Sequence, residues 1–111
     1  MIDWNRVSEL ADEIGAENLG EVVELFLDEA EHALTRLGPV ATLEADLHFL
    51  KGSASNLGFD GFRAVCAEGE SMAAAGRPDE VGIGRILAVY AESKRRFLAG
   101  LAQRGLAARS A

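Results

Sequence analysis

An imidazole, an ammonium and a missing side chain share one stripe of the segment Leu47-His48-Phe49-Leu50-Lys51-Gly52-Ser53-Ala54-Ser55-Asn56-Leu57-Gly58. At about 100° per residue, Lys51, Gly52 and Ser55 lie within roughly 60° of His48 on a helix. Leu43, Leu47, Leu50, Ala54 and Leu57 gather on the opposite side, so this helix is anchored by leucines and offers His48 outward. A neutral imidazole is a nucleophile, and near neutral pH a large share of unperturbed histidine is neutral. Lys51, one turn on, would stabilise an anion held by the ring. Glycine in a helix interior costs about 1 kcal/mol relative to alanine. At Gly52 that cost is explained by access for a bulky partner. Together these residues suit capture of an electrophilic phosphoryl group.

Other arrangements are weaker. Glu29-x-x-His32 has the spacing of di-iron bundles, but such sites need two pairs facing inward, and His32 lies roughly 200° from the buried Ala30 position. Ser53, Ser55 and Asn56 give no base–orienter geometry for hydrolysis; Ser55 is placed to bond near a phosphoryl group, and Ser53 to support its helix. Cys66 is the single cysteine and recurs on the apolar stripe of its helix, which reads as a small buried residue. No GxxxxGK[ST] or GxGxxG loop is present, so the chain is not expected to phosphorylate itself from ATP.

Five helical stretches must position these side chains. The first starts after Asp3, a good N-cap, and carries Val7, Leu10 and Ile14 before Gly15. The second spans about residues 18–37, with Val23, Phe26, Leu27, Ala30, Leu34 and Leu37 as its buried stripe, and ends at Gly38-Pro39. The third, about 41–57, carries His48 and ends at Gly58. The fourth begins at Asp60 and buries Phe62, Val65, Cys66, Gly69, Met72 and Ala73. Gly76-Arg77-Pro78 closes it, and Asp79 is the expected cap of a fifth helix burying Ile83, Ile86, Leu87, Tyr90, Phe97 and Leu101. Four long amphipathic segments joined by short turns predict an all-α, antiparallel up-and-down four-helix bundle with a short additional N-terminal helix. The 111 residues read as a single domain, its core about 3–101 and 102–111 a frayed tail.

The net charge of −7 disfavours nucleic acid and anionic membrane as partners. No run approaches the ~18 apolar residues of a membrane span. The N-terminus has no signal-peptide pattern, and one cysteine fits a reducing compartment, so a cytoplasmic location is expected.

The run His48-x-x-Lys51-Gly52-Ser53 followed by Leu57-Gly58 resembles the signature of histidine-containing phosphotransfer (HPt) domains. The likeness continues through Phe62, Cys66, Glu70 and Gly76-Arg77. It implies a phosphorelay carrier in which His48 is phosphorylated on Nε2, Lys51 faces the phosphoryl oxygens and Gly52 keeps the approach clear. Ser55 and Gly58 support the site. Glu70 would accept the Nδ1 proton of His48 and orient the ring, although without the resemblance it reads as a carboxylate on a solvated face. Two departures stand out. Gly69 occupies a place where leucine is common, which would thin the core or loosen the helix. Ala67 stands where chemotaxis-kinase relatives often carry a second histidine.

The implied partners are response-regulator receiver domains and a histidine kinase, hybrid kinases included. They would dock on a partly apolar surface that includes Phe49. No cofactor is expected on this chain; the receiver would supply Mg²⁺ during transfer. A monomer is expected. The alternatives are a phosphorylatable domain of a larger chemotaxis-type kinase, or a receiver-binding module that carries no phosphate. The chain itself reads as complete.

Overall fold

The computed structural model describes residues 2–106. Four helices form an antiparallel up-and-down bundle: α2 (Leu19–Thr35), α3 (Val40–Leu57), α4 (Asp60–Ala74) and α5 (Ile83–Gln103), with the short α1 (Trp4–Ile14) packed against α2 and α3. Asp3 caps α1 by accepting the backbone N–H groups of Asn5 and Arg6 at 3.1 and 3.2 Å. Those donors have no partner inside the helix, so the cap satisfies them.

The joint between α3 and α4 fixes the register of the two helices that carry the candidate chemistry. Gly58 adopts φ +76°, its N–H donates to Ser55 O, and the Phe59 N–H donates to Ala54 O at 2.8 Å. This is a Schellman arrangement, which favours an apolar residue directly after the glycine. Phe59 fills that place and is fully buried, a core residue that the apolar stripes did not reveal. Its ring packs edge-on to Phe97 at 5.1 Å, and Trp4 stacks on Phe97 from α1. Gly58 O in turn accepts the Asp3 N–H at 2.7 Å, tying the N-terminal segment to the same joint.

Several expectations change. α2 ends at Thr35, and a 3₁₀ turn over Ala16–Asn18 precedes it. The Asn18 side chain donates back to Ile14 O and does not cap the helix. Asp79 does not cap α5: Pro78–Glu80 forms its own 3₁₀ turn, and Gly82 immediately precedes the helix. Leu87 is 43% exposed because Ile86 and Tyr90 occupy the centre of the buried stripe. Gly69 leaves no hole. Leu47, Val81 and Ile86 approach to 3.1–3.5 Å of where its Cβ would stand, so the close packing depends on the glycine. α5 continues to Gln103, and the Leu106 N–H donates to Leu101 O, so ordered structure reaches past 101; the rest of the expected tail, 107–111, lies outside the described residues. No described helix is long and apolar enough to cross a membrane.

A Cβ at Gly58 would lie 2.6 Å from the Asp3 carbonyl oxygen, a backbone atom, in a conformation side chains disfavour. Gly58→Ala is expected to destabilise the fold by roughly 1–3 kcal/mol, measured by urea denaturation. A change within a few tenths of a kcal/mol would contradict this account of the joint.

Candidate functional site

α3 turns Leu43, Leu47, Leu50, Ala54 and Leu57 into the core, each almost wholly buried, and this leaves His48 on the outer face with its side chain 70% exposed. Glu70 reaches it from α4. The acid side chain is only 19% exposed and stands between His48 and the Lys51 ammonium. Its Oε2 lies 2.9 Å from His48 Nδ1, and its Oε1 lies 2.7 Å from Lys51 Nζ. The Lys51 contact is an ion pair without the alignment of a good hydrogen bond.

The Lys51 ammonium is the main cause holding the Glu70 carboxyl below the usual glutamate range. Partial burial pushes the other way, and His48 adds to the lowering. The net direction keeps Glu70 ionised at neutral pH. An ionised carboxylate only accepts hydrogen bonds, so the shared proton belongs to His48, and Nδ1–H donates to Glu70 Oε2. In the neutral ring this leaves the lone pair on Nε2.

Beside the ring lies a cleft of about 300 Å³ lined by His48, Lys51, Gly52, Ser55, Arg63 and Ala67. A Cβ built at Gly52 meets nothing within 4 Å, so glycine there is not required by packing. Ser55 is exposed on the cleft wall, whereas Ser53 is buried. Gly58 lies at the α3–α4 joint and contributes through register. Phe49 is 44% exposed but faces the α2 side, over a separate cleft of about 510 Å³ with Asp28, Glu29, His32, Arg36 and Asp46. Arg63 was not singled out from sequence, although Arg63, Ala67 and Glu70 follow i, i+4, i+7 spacing on one face of α4.

Burial, with a smaller contribution from the Glu70 charge, pushes the Cys66 thiol up to about 12. It therefore stays protonated and is a poor nucleophile. Glu29 and His32 share the Phe49 cleft, but among the described residues no group of three or more His, Cys, Asp or Glu side chains is placed to hold a metal ion.

The lowered Glu70 pKa has a signed consequence for stability. A carboxyl whose folded pKa lies below its unfolded value of about 4.3 stabilises the fold above that pH. The contribution is lost as pH falls through the folded value. Glu70→Gln should therefore narrow the stability difference between neutral and acidic pH, measured as urea midpoints from pH 7 down to 3. Parallel midpoint curves for the two proteins would show that the carboxylate gains nothing from Lys51 and His48.

A family description, Hpt domain, matches residues 21–103. No curated protein and no solved structure matches the chain at a significant level. The match spans α2 through α5 and with them His48, Lys51 and Glu70. The chain belongs to the Hpt domain family.

Proposed function

We propose that this protein is a phosphorelay intermediate that accepts a phosphoryl group on His48 from a receiver-domain aspartyl phosphate, or from a histidine kinase, and passes it to a response-regulator aspartate. Hpt domains are phosphocarriers without an ATP site that interact with such partners, and membership of the family supports the reading. The observation that carries it is the exposed His48 ring, bonded through Nδ1 to Glu70, with Nε2 left available.

In the forward step the Nε2 lone pair attacks phosphorus. The N–P bond forms as the acyl O–P bond breaks, and the aspartate carboxylate leaves with the bonding electrons. Nδ1 keeps its proton throughout. The ring gains positive charge on attack, and Glu70 lies where that charge develops. The protonated ring is also the better leaving group, which suits a carrier that must give the phosphoryl group away again. Lys51 would limit repulsion between Glu70 and the incoming anion. Mg²⁺ would come with the receiver, neutralising charge during in-line displacement. Gly52 admits the receiver, Ser55 borders its approach, and Phe49 extends the docking surface towards α2. Such transfer needs a modest interface and rapid exchange, and the reading is of a cytoplasmic monomer.

Incubation with a phosphorylated receiver should place acid-labile label on the wild type and none on His48→Gln. Equal labelling of both would remove His48 as the acceptor. Binding without any labelling of wild type would instead favour a receiver-binding module. Gly52→Ala separates access from folding: with an open helical position, it should stabilise the protein by about 1 kcal/mol while slowing transfer from the receiver. Transfer at the wild-type rate would show that Gly52 does not serve access.

A further inference from the structure

Lys51 is not a free cation. Its ammonium is committed to Glu70, and removing it would leave a largely buried carboxylate with only His48 for support. The cleft has a second cation. Arg63 lies on α4, exposed, and lines the same cleft as His48, together with Lys51 and the small residues Gly52, Ser55 and Ala67. Among the described residues its guanidinium makes no ion pair or hydrogen bond. Most other arginines of the bundle are engaged: Arg6 with Glu9 and Glu13, Arg77 with Glu80, Arg85 with Glu68, and Arg95 and Arg96 with Glu92. An unpaired guanidinium that shares a cleft with an exposed imidazole is placed to receive an anion held there. Its planar donor fork matches phosphoryl oxygens.

We infer that Arg63 binds the oxygens of the phosphoryl group carried by His48, closing over the Gly52–Ala67 wall, while Lys51 remains with Glu70. The inference rests on His48 being the acceptor. It assigns the phosphoryl contact to a residue seven positions before Glu70, and gives a reason for the small side chain at Ala67, which leaves the guanidinium room to cross.

Phosphoramidate tests this without a receiver. His48 Nε2 attacks its phosphorus, the donor's P–N bond breaks and ammonia leaves, so docking plays no part. Phosphohistidine is followed by ³¹P NMR, with far-UV circular dichroism to confirm that the exposed variants fold. Arg63→Ala should lower the rate constant for phosphorylation about tenfold, the scale of one charge-assisted hydrogen bond at an exposed site. It should also shift the phosphohistidine ³¹P resonance. Arg63→Lys should recover part of the rate, and Arg63→Glu should lose more than alanine. Wild-type rates and an unmoved resonance in Arg63→Ala and Arg63→Glu would overturn the inference. So would a loss confined to transfer from a receiver, because the guanidinium would then be meeting the partner. Failure of wild type to take up phosphate from either donor would instead remove the His48 reading beneath it.

Discussion

One carboxylate ties the candidate site together. Glu70 projects from α4 and bonds the His48 ring with one oxygen while holding Lys51 with the other. Both partners belong to α3, so the contact also ties α4 to α3. The interaction needs a fixed register, and the Gly58–Phe59 joint supplies it. The left-handed glycine turns the chain, Phe59 anchors it in the aromatic core, and Asp3 fastens the N-terminal segment to the same carbonyl. A slip of one residue in α4 would rotate Glu70 by about 100° around its helix and release both partners.

The outer face of α3 accepts local costs that the inner face offsets. A helical glycine at position 52 weakens the helix, and the exposed imidazole adds nothing to the core. The wholly buried leucines at 43, 47, 50 and 57 hold the helix in place regardless. The candidate site therefore sits on a rigid element with an open approach, an arrangement that keeps the ring positioned without enclosing it. Exposure is compatible with the proposed transfer because a docked partner, not the bundle, would exclude water.

The fold was legible where the governing interactions are local. The Asp3 cap, the stops at Gly15 and Gly58 and the leucine stripe of α3 depend on residues within a turn or two, and helical periodicity reports them directly. The exposed position of His48 follows from the same periodicity. Asp79 misled because Pro78 opens a separate 3₁₀ turn before α5, a competition between two short-range signals. Phe59 was hidden because it belongs to no stripe; only the geometry of the preceding glycine explains its burial. Gly69 suggested a thin core until the neighbouring helices supplied Leu47 and Ile86. The meeting of Glu70 with both His48 and Lys51 depends on how two helices pack across a turn, which neither helix states alone. Family resemblance suggested the histidine contact, whereas the ion pair with Lys51 came only from the three-dimensional arrangement.

The account turns on which ring nitrogen of His48 carries the proton, and long-range ¹H–¹⁵N NMR of the ring at mildly alkaline pH measures it directly. The account predicts a protonated Nδ1 and a bare Nε2 in the wild type, with that preference lost in Glu70→Ala. A proton on Nε2 in the wild type, or a preference unchanged without Glu70, would contradict it.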